Sequence, residues 1–322
     1  MKNSMFYYSV GALLYCPANH SGLAHSIISE RFGNKFSLAL CLEDTIHDQH
    51  VHTAEGIMIE TLTHIYEQSQ QKAFYMPKIF IRVRHQEQIV RLTKALGNAF
   101  SIVTGFIIPK FSISNADYYI QEIIRVNELA NRPVYMMPIY ENSSIIHLNH
   151  RSEILYELKE KLEPLGELVL NIRVGGNDLC HYFGFRRHVD ESIHAIRPIA
   201  NIFSDIVTIY GNDYVISGPV WEYYSGPHWD EGLRQEIKED ILCGFLGKTV
   251  IHPNQIDVVN QCYQVSPQDY ADAQSILNWN ENESSMVSGN HAKDRMNEYK
   301  THTNWAQKTL MLANYYGIRQ TI

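Results

Sequence analysis

The sequence predicts an α/β fold in which eight parallel strands close into a (β/α)8 TIM barrel, followed by a helical C-terminal extension. Three observations support this fold class. Short apolar runs alternate with longer helical patterns, eight such βα units fit within residues 1–265, and a chain of 322 residues is close to the size of one barrel with an addition. An open, doubly wound sheet usually carries a glycine-rich phosphate turn after its first strand, but that turn reads Pro17-Ala18-Asn19-His20 here.

The predicted strands are short apolar runs bounded by turn residues or by a charged residue. In chain order they cover residues 12–16, 37–42, 78–83, 103–108, 134–139, 168–174, 214–217 and 248–251. Helical patterns follow them at residues 22–32, 53–68, 86–96, 115–130, 151–162, 190–210, 231–243 and 254–262. Because each span between strands is long enough for a crossover helix, we expect neighbouring strands to be parallel.

The character of the chain changes after residue 265, so we predict a catalytic barrel over residues 1–265 and a helical extension over residues 266–322. Ser266-Pro267 is a good helix start, and this helix is expected to end near Trp279. Residues 280–290 are polar and predict a mobile loop. A final helix over residues 296–316 carries the apolar side chains of Trp305, Leu310, Met311 and Ala313. These side chains need a surface that buries them, and we expect a neighbouring subunit to provide it, with packing as a cap on its own barrel as the alternative.

The composition excludes several classes of protein. Hydrophobic residues make up 45% of the chain and charged residues 19%, which is typical of a globular protein with a sizeable core. The net charge of −8 argues against a nucleic-acid-binding surface. No apolar run approaches the roughly 18 residues of a membrane span. Residues 5–18 are interpreted as leading into the first strand rather than as a signal sequence, because no basic region precedes them.

The cysteines indicate a reducing, cytoplasmic location. They are widely spaced and contain no CxxC pair, which argues against a zinc ribbon. They are Cys16, Cys41, Cys180, Cys243 and Cys262.

Polar side chains collect at the ends of the predicted strands. They are Asn19, Glu43, Asp44, Arg82, Arg84, Lys110, Glu141, Asp178, Glu222 and His252. The carboxyl ends of barrel strands form the catalytic mouth of such enzymes. Glu141 and Asp178 each end an apolar run, about one βα unit apart, and this pattern suits two oxygen ligands for a hard metal ion. The alternative interpretation is that both are ordinary helix caps or loop acids.

Several of these residues belong to motifs that resemble a known family. The motifs are Leu42-Glu43-Asp44, Arg82-Val83-Arg84, Gly105-Phe106-Ile107-Ile108-Pro109-Lys110, Tyr140-Glu141, Gly175-Gly176-Asn177-Asp178-Leu179 and Gly247-Lys248-Thr249-Val250-Ile251-His252-Pro253. In this order they resemble the citrate lyase β-subunit-like branch of the HpcH/HpaI aldolase superfamily. Within that branch the chain is similar to the C–C bond lyases associated with tellurite-resistance gene clusters. That second likeness rests on Pro219-Val220-Trp221-Glu222 and on Met296, Glu298, His302 and Trp305-Ala306.

The resemblance implies a Mg²⁺-dependent lyase or aldolase, with Mn²⁺ as an alternative metal, acting next to a carbonyl of a small anionic substrate. It assigns Glu141 and Asp178 as metal ligands and Arg82 as the residue that binds a substrate carboxyl or thioester oxygen. Glu43 and Asp44 would orient Arg82 or a metal-bound water. Substrate contacts are expected from Arg84, Lys110, Glu222 and His252, with a structural role for His252 as the alternative.

Two features of the sequence differ from the family, and a third leaves the identity of the acid/base residue open. Relatives that use coenzyme A thioesters usually begin the first strand with Arg-Ser, but Gly11 and Ala12 stand here. Arg84 replaces the usual asparagine and suggests a more anionic substrate. Many relatives supply an acid/base from a C-terminal segment of a neighbouring subunit, for which Glu298 is the first candidate and Asp294 the second.

These features leave several functions open. The substrate is either a thioester, such as a 3-hydroxyacyl-CoA, or a free 2-oxo acid or sugar-like carbonyl compound. The alternative from another class is a non-catalytic barrel module of a stress-response assembly. In either case we expect a homo-oligomer, a trimer or a multiple of it, that binds neither nucleic acid nor membrane.

Overall fold

The computed structural model describes residues 4–279 and 284–320, which divide into two compact units. The first unit spans Val10–Val259, and the second contains residues 4–9 together with residues 260–320. The division therefore falls a few residues before the boundary expected from the sequence. Residues 4–9 belong to the second unit because a one-turn helix, Met5–Tyr8, packs there against the last helix of the chain.

The first unit is built on eight strands. They are β1 (Ala12–Pro17), β2 (Ser37–Cys41), β3 (Lys78–Arg82), β4 (Val103–Ile108), β5 (Tyr135–Tyr140), β6 (Ile172–Val174), β7 (Ile216–Ser217) and β8 (Lys248–Val250). Each strand is parallel to the next, and β1 also pairs with β8. A parallel bridge between Gly218 and Lys248 joins β7 to β8. The strands therefore form a nearly closed ring, which confirms the predicted TIM barrel.

Helices cover the strands, as a parallel sheet with both faces buried requires. The α-helices of the described chain are α1 (Met5–Tyr8), α2 (Leu23–Ile28), α3 (Val51–Ser69), α4 (Glu87–Leu96), α5 (Ile113–Leu129), α6 (Leu148–Leu162), α7 (Gly176–Phe183), α8 (Arg197–Tyr210), α9 (Trp229–Cys243), α10 (Asn254–Cys262), α11 (Pro267–Leu277) and α12 (Tyr299–Tyr316). None of the helices in the described ranges has both the length and the apolar character that spanning a bilayer requires.

Two barrel helices differ from the sequence prediction. The helix expected over residues 190–210 begins only at Arg197, because Pro198 suits a first turn and cannot continue a helix from before it. The short helix α7 was not predicted, since its Gly-Gly-Asn-Asp start is typical of a loop. Its consequence is that Asp178 lies in the first turn of a helix rather than in a loop.

The second unit contains a small hairpin that the sequence did not predict. Strands β9 (Val287–Gly289) and β10 (Met296–Glu298) pair antiparallel, and the Asn290 side chain closes the turn with hydrogen bonds to the Asp294 backbone and carboxylate. The predicted mobile loop is therefore wrong at its end, while residues 280–283 lie outside the described residues. The last helix begins at Tyr299 rather than Met296, because residues 296–298 belong to β10.

The apolar side chains of α12 are unevenly buried, since Ala306, Ala313 and Tyr316 are buried whereas Trp305 is partly exposed. Ala306 packs against Ala273 and Ile276 of α11, with Leu310 beside them. Trp305 keeps 37% of its surface exposed and has the Arg295 guanidinium 5.3 Å from its ring centroid. A partner surface for Trp305 thus stays a prediction.

Candidate functional site

A cavity of about 390 Å³ lies within the first unit, at the carboxyl ends of the barrel strands. Five residues predicted for the site line it, namely Asp44, Arg82, Glu141, Asp178 and Glu222. Its other ionisable lining residues are Tyr15, Arg173 and Arg186. Strand-end acids and bases thus converge because parallel strands of a barrel deliver their carboxyl ends to one face.

Arg82, the last residue of β3, is the buried centre of an ion cluster. Its Nη2 lies 2.7 Å from Glu43 Oε2, 3.0 Å from Asp44 Oδ2 and 3.1 Å from Glu141 Oε1. Burial alone would lower the pKa of the guanidinium, but Glu141 and Glu43 more than offset this and raise it. The buried Nε atom has no hydrogen-bond partner among the described residues. A donor is therefore left for a ligand oxygen.

Lys110, in the loop after β4, stabilises the same cluster. Its Nζ donates to Glu43 Oε1 at 2.5 Å and to Asp44 Oδ1 at 3.0 Å, while its backbone N–H donates to Glu141 Oε1 at 3.0 Å. The backbone adopts a left-handed conformation there, with φ of 49°. Glu43 and Lys110 therefore hold Arg82, Asp44 and Glu141 in place rather than lining the cavity themselves.

Glu141 is nearly fully buried just beyond β5 and packs against the backbone of Gly175. A Cβ at position 175 would lie 2.0 Å from Glu141 Oε2, so only glycine allows this approach. Burial, with repulsion from Asp178, raises the pKa of Glu141 to about 8, although Arg82 acts in the opposite direction. A cation between the two carboxylates would relieve this penalty.

The oxygen atoms of Glu141 and Asp178 fit a hard divalent ion. Glu141 accepts both of its hydrogen bonds at Oε1, and Asp178 has no hydrogen bond or ion pair with any residue in the described ranges. Both carboxylates line the cavity. The described residues contain no group of three or more acidic, histidine or cysteine side chains that could hold a metal. Two carboxylates with several waters are a suitable Mg²⁺ site, because Mg²⁺ retains much of its hydration.

Arg84 lies outside the cavity and fastens the loop after β2. Its guanidinium donates to the backbone carbonyls of Leu42, Glu43 and Ile46 and pairs with Asp48. These contacts fix the segment that carries Glu43 and Asp44. Arg84 thus supports two acids of the ion cluster from the side away from the cavity lining, and it does not line the cavity itself.

The remaining predicted residues lie in three different environments. Glu222 lines the cavity and has Arg186 Nε 3.7 Å from its Oε1. His252 stacks on Tyr224 at 4.7 Å, and its Nδ1 accepts from the backbone N–H of Asn254 at the start of α10. Glu298 belongs to the second unit, where its backbone N–H donates to His302 Nδ1 at 3.0 Å. His252 is therefore positioned as a helix-capping residue.

Comparison with known proteins identifies the family. Residues 4–318 match the family model described as a C–C bond lyase of the TIM-barrel fold. The chain belongs to this family. No curated protein matches the chain.

Solved structures share the fold at low sequence identity. CitE from Mycobacterium tuberculosis in complex with magnesium, acetoacetate and coenzyme A is 18% identical, with a TM-score of 0.60 and coverage of 96% of this chain and 99% of that one. The citrate lyase β subunit from M. tuberculosis complexed with oxaloacetate and magnesium is 18% identical, with a TM-score of 0.52 over 81% of this chain and 99% of that one. RipC from Yersinia pestis is 16% identical, with a TM-score of 0.53 over 80% of this chain and 95% of that one.

Several lining residues of this lyase-family cavity were not singled out from the sequence. Among them are Tyr15 on β1, Arg173 on β6, Arg186 after α7 and Thr249 on β8. A signal existed for Arg173, because a charged residue stands inside an otherwise apolar strand two positions after Asn171. No sequence signal separates Tyr15 or Thr249 from ordinary barrel-packing residues.

Proposed function

We propose that this chain is a Mg²⁺-dependent C–C bond lyase or aldolase that acts next to the carbonyl of a small anionic substrate. One observation carries the proposal: Glu141 and Asp178 line one cavity, and Arg82 is hydrogen-bonded to Glu141 within it. Membership of the C–C bond lyase family supports the reaction class. The magnesium complexes of CitE and the citrate lyase β subunit support the choice of metal.

Glu141 and Asp178 are the residues that would hold the metal. When bound, Mg²⁺ would supply positive charge that stabilises the negative charge developing on a carbonyl oxygen as the C–C bond breaks. Gly175 keeps the chain close to Glu141, and α7 carries Asp178 in its first turn. Both ligands are thus held by rigid elements, which reduces the cost of ordering them when the metal binds.

Arg82 would bind a substrate carboxyl or carbonyl oxygen. Its guanidinium is fixed by Glu43, Asp44 and Glu141 before any ligand arrives, and its Nε is a donor with no hydrogen bond to a described residue. Donors that are already oriented need no reorganisation during the reaction, and they act more strongly in a buried site than in water. Lys110 supports this arrangement by neutralising part of the charge of Glu43 and Asp44.

Both substrate alternatives would place a carbonyl group in the cavity, and they differ in the rest of the molecule. A cavity of about 390 Å³ suits a small 2-oxo acid, and it equally suits the acyl end of a coenzyme A thioester whose remainder extends past the mouth. CitE was solved with acetoacetate and coenzyme A, and the citrate lyase β subunit with oxaloacetate. Turnover of a 2-oxo-acid panel and an acyl-CoA panel with Mg²⁺ discriminates between them. Absence of any turnover would favour the non-catalytic module.

The second unit is proposed to complete the site of another subunit. Glu298 is the last residue of β10, in a unit whose Trp305 is partly exposed, and the resemblance implies an acid/base from this segment. We propose that Glu298 supplies it in a homo-oligomer. Covering the mouth in this way would exclude water from a reactive carbanion.

Magnesium-dependent stabilisation tests the metal assignment. At a Mg²⁺ concentration of about 100 times the dissociation constant, binding adds about 2.7 kcal/mol to the free energy of unfolding, which raises Tm by several degrees. Glu141→Gln and Asp178→Asn should each abolish this rise. Glu55→Gln is the matched control for Glu141→Gln, because Glu55 is about as buried as Glu141 but binds Arg91 outside the cavity. If both site variants keep the wild-type rise, the metal site is elsewhere.

A further inference from the structure

Tyr15 brings a phenolic hydroxyl to the cavity from the first barrel strand. Residues 12–14 of β1 are buried, and Tyr15 is the first residue of the strand that is only half-buried, because its side chain lines the cavity. Its hydroxyl makes no hydrogen bond to a residue of the described chain, whereas the hydroxyl of the half-buried Tyr75 donates to the Phe36 carbonyl at 2.8 Å. The O–H of Tyr15 is therefore available to an oxygen atom of a bound molecule.

The charges around Tyr15 favour donation of a hydrogen bond by this hydroxyl. Burial raises the pKa of Tyr15, although the charges of Arg173 and Arg82 act in the opposite direction. The phenol therefore keeps its proton at neutral pH. The Arg82 guanidinium carbon lies 5.8 Å from the centroid of the Tyr15 ring. Positive charge beside a buried phenol stabilises the negative charge that its oxygen gains when it donates, which makes it a strong donor to an anionic oxygen.

The other hydroxyl groups among the described lining residues are less suited to this role. They belong to Thr45 and Thr249. Thr45 donates its hydroxyl hydrogen to the Cys41 carbonyl at 3.2 Å, and the Thr249 hydroxyl accepts from Arg173. Both are aliphatic alcohols, which are much weaker acids than a phenol and so form weaker hydrogen bonds to an anion. Tyr15 is therefore the lining hydroxyl that responds most to negative charge developing on a substrate.

The ring of strands places Tyr15 across the barrel from one of the proposed metal ligands. Tyr15 lies on β1, and Glu141 follows β5. Three strands separate β1 from β5 in either direction around the ring, so the two strands lie on opposite sides of the cavity. Both side chains line this cavity, and the charge of Glu141 is close enough to act on the pKa of Tyr15. A carbonyl oxygen near the proposed metal ligands would thus meet the phenolic donor from the opposite wall.

We propose that the Tyr15 hydroxyl donates a hydrogen bond to the substrate carbonyl oxygen and strengthens this bond as that oxygen becomes an enolate oxygen during C–C bond cleavage. This inference rests on the proposed function, in which the reacting carbonyl end lies beside Arg82 and the metal ligands. It assigns Tyr15 as a further catalytic residue. Because the donor gains more from a charged enolate oxygen than from a neutral carbonyl, it accelerates the reaction more than it strengthens substrate binding.

Exchange of methyl protons for deuterium tests this role, because the exchange requires only the enolate. Pyruvate and acetyl-CoA represent the 2-oxo-acid and thioester alternatives, and the methyl protons of each exchange with D₂O through an enolate. With Mg²⁺, NMR should show that the wild-type chain accelerates exchange of at least one of them beyond Mg²⁺ alone. Tyr15→Phe should lower the exchange rate at saturating ligand by about 100-fold or more. The affinity for that ligand, measured by calorimetry, should change by no more than about tenfold.

Tyr75→Phe is the matched control for folding. The Tyr75 hydroxyl lies outside the cavity lining, where it donates to the Phe36 carbonyl and accepts from the Phe36 backbone N–H. This variant should keep the wild-type exchange rate but have a lower Tm, because it loses two hydrogen bonds. Tyr15→Phe removes no hydrogen bond to the described chain, so its Tm should lie closer to that of the wild type. If Tyr15→Phe does not fold, Tyr15→Met fills the space with a flexible apolar side chain and should show the same loss of exchange.

The outcomes separate this inference from the proposed function. A loss of exchange rate in Tyr15→Phe but not in Tyr75→Phe, with affinity retained, supports the role of Tyr15. An exchange rate in Tyr15→Phe within about tenfold of the wild type, or an affinity that falls as much as the rate, overturns it. The lyase proposal then stands if Glu141→Gln abolishes the exchange. If the wild-type chain exchanges neither compound faster than Mg²⁺ alone, both the proposed function and this inference are overturned.

Discussion

The buried charge network around His194 provides a quantitative test of the structure. His194 Nε2 lies 2.8 Å from Asp240 Oδ1, and Asp240 also binds Lys248 Nζ at 2.7 Å. Lys248 reaches Glu236 at 2.8 Å, and Arg187 lies 3.2 Å from the other oxygen of Glu236. Lys248, Glu236 and Asp240 are completely buried. The network joins α9 to β8 and to the segment before α8, next to the strand that carries Thr249.

The protonation of His194 gives the network a pH-dependent contribution to stability. Burial alone would lower the pKa of His194, but the hydrogen bond to Asp240, with a smaller contribution from Cys243, raises it from 6.5 to about 9. A pKa difference of one corresponds to about 1.4 kcal/mol, so this interaction contributes up to about 3 kcal/mol. Because the folded-state pKa is the higher one, the contribution is complete below pH 6.5 and is lost as the pH rises through about 9.

We therefore expect His194→Gln to change how stability depends on pH. The glutamine amide can still donate to Asp240 but cannot gain a proton. Urea unfolding followed by circular dichroism, at intervals between pH 6 and 9.5, should show the wild-type free energy of unfolding falling towards that of the variant by about 3 kcal/mol. Two parallel pH profiles would refute the reasoning and would mean that His194 is neutral in the folded protein.

Two further predictions concern the site and the assembly. Arg82→Lys should weaken 2-oxo-acid binding with Mg²⁺ by about tenfold or more, since a point charge cannot reproduce the planar guanidinium contacts. Arg84→Lys, measured by the same calorimetric titration, should leave this affinity within about threefold. An equal loss of affinity in the two variants would mean that Arg84 contacts the substrate, as expected from the sequence. Light scattering at micromolar concentration should show a trimer or a multiple of it, and a monodisperse monomer would instead leave α12 as a cap on its own chain.

The order of the elements and the ends of the strands were available from the sequence alone. Strand and helix periodicities are local properties, so the predicted strands agree with the observed ones to within a few residues for most of the barrel. All parallel strands of a barrel end at the same face, so residues at their carboxyl ends could be expected to meet there. These residues are Asp44, Arg82, Glu141, Asp178 and Glu222. Local sequence signals failed to predict structure where a short motif is compatible with both a loop and a helix, as in the Gly-Gly-Asn-Asp start of α7.

The direction and the partners of long side chains were decided only by the tertiary structure. Arg82 is the last residue of β3, so strand alternation points its side chain towards the inside of the barrel. Arg84 lies beyond the strand, and its guanidinium donates to backbone carbonyls of the neighbouring loop. Alternation also cannot reveal that Arg173 would reach Thr249, because that contact needs two distant strands to be brought together by closure of the ring. The sequence by itself thus determines which side chains arrive at the mouth of the barrel. Ring closure decides which of them bind one another and which remain available to a ligand, because the contacts that make this choice join residues far apart in the chain.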